Sequence, residues 1–321
     1  MLRMRAIVIV LSVTSSAMAA SNRVFVSGSG VDVGTCPITS PCRSFAYAYT
    51  RVSAGGEIIA LNTAGYGAVT INQSVTIVAA PGATAFVSAS SGTAITVSPA
   101  QTDTVTLRGL ALSSTGGSDG IYFTAGLLNV ENCIINGFAN AGINFIASGV
   151  TTNPRLQVIN SVIRNNNWGI IAMHFGTGTD GEGLPPGAAF VTIANSTFTG
   201  NGAPGLDARD NVRGAVSDTL FAGNLHGVAV ASGSDHAVAI VSLDRCTLSR
   251  NLFGVSAGVG FQNPRGIVHI ANCTVTMNST GLNVAGPDGQ ILSQMSNSVF
   301  TNTVVGNIFS DGSPTGTYTA K

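Results

Sequence analysis

Charge is what this chain has least of. Of its 321 residues only 9% are Asp, Glu, Lys or Arg, split 14 to 14 between the two signs with zero formal net charge, against roughly 25% in an ordinary soluble domain. Without clustered Lys and Arg to displace counterions, nucleic acid is not expected as a partner. Long apolar runs are missing too. Beyond the start of the chain no stretch reaches about 18 apolar residues without polar interruption, so no membrane span is expected. Helical periodicity is the third absence: between Leu127 and Phe309 no repeat contains ten continuous residues of helical pattern.

What fills that region is one short pattern used repeatedly. Its cleanest copy is VTIANSTFTGNGAPGLDA, Val191 to Ala208, with ENCIINGFANAGI, INSVIRNNNWGI, VSDTLFAGNLHGV, LDRCTLSRNLFGV, IANCTVTMNSTGL and MSNSVFTNTVVGN as variants. The frame is an apolar residue, a spacer, usually Asn, a small Ser, Cys or Thr, a spacer, an apolar residue, often a further Asn, then Gly and an aliphatic. Asn132, Asn160, Asn195, Asp218, Arg245, Asn272 and Asn297 align at steps of 28, 35, 23, 27, 27 and 25 residues, a period that signals a solenoid. Apolar positions alternating over a few residues between Asn and Gly are strand-periodic. Each unit is therefore expected to form three short strands joined by bends, and stacked units a parallel β-helix.

Asn tolerates the left-handed conformation such a bend needs. Stacked Asn side chains can also hydrogen-bond coil to coil, so the aligned column, Asn195 included, is expected to be a buried ladder. Val130, Val158, Ile193, Val216, Leu243, Ile270 and Met295 stand two residues before it. Ile135, Ile163, Phe198, Phe221, Leu248, Val275 and Phe300 stand three after. Both sets are apolar and are expected to stack inside the tube.

The chain begins like a signal peptide, residues 1–19. Arg3 and Arg5 precede the apolar stretch Ala6–Val13, and Ala17-Met18-Ala19 is a small-residue cleavage site. A secreted or periplasmic protein is expected. In an oxidising compartment Cys36 and Cys42, flanking a Pro-rich turn, are expected to close a disulfide. Cys246 and Cys273 fall at one place in successive coils, about 4.8 Å apart by strand spacing; that allows a disulfide, but two packed buried thiols are the favoured reading. Residues 20–56 read as an N-terminal cap. A short helix with Phe45, Ala48, Tyr49 and Val52 on one face is stopped by Gly55-Gly56 and covers the open first coil. Residues 57–321 then supply roughly nine to ten coils.

The exported start, the helix before a GGEIIALN strand and the N-S/C-x-apolar-x-x-N-x-x-G-aliphatic repeats resemble the right-handed parallel β-helix repeat proteins of the pectate-lyase-like superfamily. The resemblance implies an all-β, right-handed, single-stranded parallel β-helix solenoid with a short N-terminal capping helix. It also implies that substrate lies on the strand face opened by the Gly-aliphatic pair. Function is not implied, because this fold hosts many activities. The hydrolases' paired-aspartate, Gly-His-Gly and Arg-x-Lys signatures are absent, Leu225-His226-Gly227 being the nearest approach, and so is the epimerases' Asp-Pro-His-Asp run.

If the aliphatic residue after each Gly points inward, the next points out. That row holds Tyr122, Asn144, Ile171, Asp207, Ala229, Ser256 and Asn283. Asp207 and Arg209 share its edge, Asp210 follows, and His174, ending the preceding coil's strand, is expected within side-chain reach in water. Beyond His174 an inserted loop carries Asp180 and Glu182. Asp207, Arg209, Asp210 and His174 are therefore the candidate catalytic set, as acid, base, carboxylate clamp and proton carrier. The same charges also fit a solvated salt-bridged turn. Tyr122, Asn144, Trp168, Ser256 and Asn283 are the candidate substrate-binding residues. Trp168, His226 and Phe253, each preceding the Gly of its coil, form an aromatic row that could stack on sugar rings or on itself.

No metal site or cofactor is expected, and a calcium ion finds no support in the pattern. The function expected is an exported β-helix that binds, and as an enzyme would process, an extracellular polysaccharide or surface glycan. The alternative is a non-catalytic, adhesin-like interaction protein of the cell surface or envelope.

Overall fold

The computed structural model describes residues 21–148, 153–175, 187–232, 238–258, 266–284, 289–292, 298–300, 304–305 and 308–309. The expected signal peptide, Asp180, Glu182, Met295, Asn297, Gly306 and the Phe300 side chain lie outside the described residues. The architecture is all-β. Three parallel sheets of twelve, ten and ten strands run the length of the tube, and successive coils are neighbours in every sheet. The first sheet runs from Ser21–Val26 to Ile308–Phe309, the second from Ala64–Gly65 to Val299–Phe300, and the third from Val69–Ile71 to Val304–Val305.

The local chemistry of a coil is legible in the strands Val212–Ser217, Leu220–Ala222 and His226–Ala231. Between the first two, Asp218 takes φ 50°, and Asn132, Asn160, Asn195, Arg245 and Asn272 take φ 50–52° at the same bend. The left-handed column is therefore as expected. The interior rows are too: Val130, Val158, Ile193, Ile135, Ile163, Phe198, Phe221, Leu248 and Val275 are fully buried.

The ladder itself is a different column. Asn195 is exposed; the buried, hydrogen-bonded asparagines are Asn166, Asn201, Asn224, Asn251 and Asn278, the second Asn of the frame. Each side-chain oxygen accepts the backbone N–H of the coil before it, as in Asn201 N to Asn224 Oδ1 at 3.0 Å and Asn224 N to Asn251 Oδ1 at 2.9 Å. The amide N–H in turn donates to a backbone carbonyl, Asn224 Nδ2 to Phe198 O at 3.0 Å. The physical reason is direction: the bend residue turns its side chain to solvent, whereas the residue before the third strand points into the tube, where unpaired backbone groups need partners.

A second ladder runs through the small residue beside the bend. Cys133 N donates to Ser161 Oγ at 3.1 Å, Ser161 N to Ser196 Oγ at 3.2 Å, and Cys273 N to Ser298 Oγ at 3.1 Å. Cys246 N donates to Cys273 Sγ at 3.3 Å in the same manner. Cys133, Cys246 and Cys273 are buried free thiols.

At the start, Cys36 and Cys42 are disulfide-bonded. The helix is shorter than expected, Phe45–Tyr49, with Ser44 capping it by accepting from Tyr47 N at 3.2 Å. Gly55 and Gly56 do not stop it; they lie inside the strand Val52–Ala60, where Gly55 takes φ 77°. Pairing with the next coil decides the conformation there: Gly55 N donates to Ser74 O at 2.7 Å and Gly56 pairs with Val75. Phe45 packs on Tyr66 at 5.0 Å between ring centres, seating the helix over the first coil.

Candidate functional site

The third sheet carries the candidate face. Its register joins Thr70, Thr96, Tyr122, Asn144, Ile171, Asp207, Ala229, Ser256 and Asn283 into one row, because the residue after each Gly points inward and the next outward. Gly227 shows why Gly opens these strands. A Cβ there would lie 2.5 Å from Gly254 O and 3.0 Å from Leu248 Cδ2, closer than packing allows.

Asp207 and Arg209 project together, but the carboxylate does not reach water and the guanidinium is only partly exposed. Asp207 is 3% exposed, and both its oxygens accept from Arg209 Nε at 3.0 Å, with Arg209 Nη2 on Oδ2 as well. Burial pushes the Asp207 carboxyl above the usual range, against the opposing pull of the Arg209 guanidinium and the Trp168 indole N–H hydrogen-bonded to it. The expectation of solvated, freely titrating charges is corrected accordingly. Arg209 and Trp168, both hydrogen-bonded to the carboxylate, cover it.

His174 is placed elsewhere. Ile171 and Met173 pair with Asp207 and Arg209, so strict alternation turns His174 to the other side of the strand. It is 1% exposed, in register with the buried Ala147, and neither ring nitrogen has a hydrogen-bond partner. Burial lowers its pKa. No hydrogen bond or ion pair joins it to Asp207 or Arg209, which corrects the expected reach. Asp210 also leaves the row: at φ 40° it turns away, and its Oδ1 accepts from Ser232 Oγ at 3.0 Å.

A cavity of about 190 Å³ brings the remaining groups together. Trp168, Pro204, Asp207, Arg209, Leu225 and His226 line it. His226 is the residue that sequence reasoning left out of its site, although the aromatic row contained it. Its Nδ1 lies 2.7 Å from Ser256 Oγ, its ring stacks on Phe253 at 4.7 Å and 16°, and burial pushes its pKa down to about 4. The imidazole is therefore neutral at pH 7. Ser256, fully buried, orients that ring rather than facing a ligand. Tyr122 and Asn283 stand half-buried on the row, and Asn144 is 7% exposed. Among the described residues no three His, Cys, Asp or Glu side chains group closely enough to hold a metal ion.

No family model and no curated protein sequence matches this chain. Solved structures do. The alginate lyase from Paenibacillus sp. str. FPU-7 aligns with TM-score 0.61 at 14% identity, covering 90% of this chain and 99% of that one. Pectate lyase Pel9A aligns with TM-score 0.55 at 15% identity, covering 91% and 80%. This chain shares their parallel β-helix fold. At such identity the likeness is one of fold, so chemistry must be argued from the cavity. Among the described residues no helix is long and apolar enough to cross a membrane.

Proposed function

We propose that the protein is exported and binds an extracellular polysaccharide on the outward face of its third sheet, with the Trp168 cavity as the principal contact. The observation that carries this reading is the composition of one cavity: a half-buried indole plane, a carboxylate and guanidinium locked to each other, and a neutral imidazole held by Ser256. A flat aromatic surface beside fixed donors and acceptors suits a sugar ring, apolar on its face and hydroxylated at its rim. The fold shared with two polysaccharide lyases agrees with it.

A non-catalytic role is favoured over turnover by the Asp207–Arg209 pair, since both carboxylate oxygens are already engaged. Trp168 is the chain's single tryptophan, so its fluorescence reports the cavity alone. Titration with a panel of polysaccharides should change that emission for at least one class, and Asp207→Asn should weaken the response about tenfold, the worth of a charge-assisted hydrogen bond. Unchanged emission across the panel refutes the reading. New reducing ends or unsaturated products would replace binding with catalysis.

A further inference from the structure

We infer that the occupant of this face is an uncharged polysaccharide lying along the solenoid axis, with Asn144 as its second point of contact. The inference rests on the saccharide reading above and specifies the ligand. Charge is the first argument. In the described strands of the third sheet the acidic and basic residues are Asp119, Asp207 and Arg209. The guanidinium is already neutralised by Asp207, and Asp119 already accepts from Asn140 Nδ2 at 2.7 Å and Ser118 Oγ at 3.2 Å. A polyuronate, with a carboxylate on every sugar, would meet the Asp119 carboxylate, a neutral Asp207–Arg209 pair and no uncommitted cation here. Like-charge juxtaposition of that kind selects against it.

Asn144 is the second argument. Its Oδ1 is buried and accepts no hydrogen bond, although buried polar atoms in native structures are nearly always paired. It belongs to the outward row, in register with Ile171 and through it with Asp207, two strand spacings or about 10 Å from that carboxylate. A rotation of the amide that brings Oδ1 to the surface lets a sugar hydroxyl supply the missing bond, and a chain crossing the strands then reaches Asn144 and the Trp168 cavity together. Beyond Asn144 the row stays uncharged through Tyr122, Thr96 and Thr70, and opens into a second cavity of about 380 Å³ beside the helix, lined also by Tyr49 and Thr93. Hydroxyl and amide groups along this path match a ligand whose only polar groups are hydroxyls.

The test titrates the mature protein with disaccharides and hexasaccharides of uncharged glucans, xylans and galactans, and of polygalacturonate and alginate, reading Trp168 emission. The best uncharged hexasaccharide should bind about tenfold more tightly than its disaccharide, because the second contact is made intramolecularly, and at least about tenfold more tightly than any polyuronate. Asn144→Leu, of similar volume and without the amide, should fold with an undiminished melting temperature and shrink the length advantage to under about twofold. Polyuronates binding as well as uncharged chains, or a length advantage intact in Asn144→Leu, overturns the inference and leaves the saccharide reading standing. Silence of Trp168 toward every saccharide overturns both.

Discussion

Asn195 and Asn224 are the same residue type in one repeat frame, and their side chains do different work. Asn195 relieves a backbone at φ 50° and faces water. Asn224 holds the neighbouring coils together: its oxygen takes Asn201 N–H and its amide serves Phe198 O. Asn224→Ala strands both groups in the interior and should cost about 3 kcal/mol, at about 1–3 for each buried unpaired group. Asn195→Ala should cost only about 1 kcal/mol, because alanine lacks the short polar side chain that makes the left-handed conformation tolerable for asparagine, and Asn195→Gly almost nothing. Urea denaturation of the three variants checks the ranking, and equal losses would refute the distinction. Histidine supplies the pH dependence. His226, pushed down to about 4, and His174, lowered by burial, are neutral in the folded chain, whereas the unfolded chain protonates them below about 6.5. The unfolded state therefore binds more protons in that window, and stability falls as pH drops from about 6.5 toward 4, by about 2–3 kcal/mol from His226. Melting curves at pH 7 and pH 4 should show this, with the gap narrowed in His226→Gln. An unchanged gap contradicts the assignment.

At the scale of one strand, the Gly at the start of five third-sheet strands governs how closely coils approach. Gly142, Gly169, Gly205, Gly227 and Gly254 each bring the next coil's carbonyl oxygen within 2.3–2.9 Å of where a Cβ would stand. Gly227→Ala should therefore cost about 1–3 kcal/mol by overpacking. It should also disturb the adjacent ring of His226, read as a change in the imidazole NMR shifts. A variant as stable as the native chain would show that coil spacing is looser than drawn. Such strands were legible beforehand because Gly plus an aliphatic recurs in phase. Which outward side chains would be buried was not: Asp207 meets Trp168 and Ser256 meets His226, both from coils distant in sequence. The helix end is hidden for a similar reason: Gly-Gly signals a stop locally, but contacts with Ser74 and Val75 of the next coil draw both glycines into a strand.

The whole molecule is a stack in which each coil rests on the next, so its ends are the exposed sheet edges. Ser21–Val26 pairs with Val52–Ala60, and the helix with its Phe45–Tyr66 contact closes the same end. Removing residues 21–51 should leave that edge open and turn a monodisperse sample into an aggregating one, as seen by light scattering. A monodisperse truncated protein would show that the cap is dispensable. The solenoid, its period, the left-handed column, the interior apolar rows and the outward row are all written in the order of residues. All of these follow from alternation and spacing, which are one-dimensional quantities that stacking merely repeats. Only the tertiary structure decided which Asn column is buried, that His174 faces inward, and that Trp168, Asp207, Arg209 and His226 share one cavity. Those facts depend on how far neighbouring coils overhang one another and on loops of unequal length, and such distances across the stack are not written in the order of residues along it.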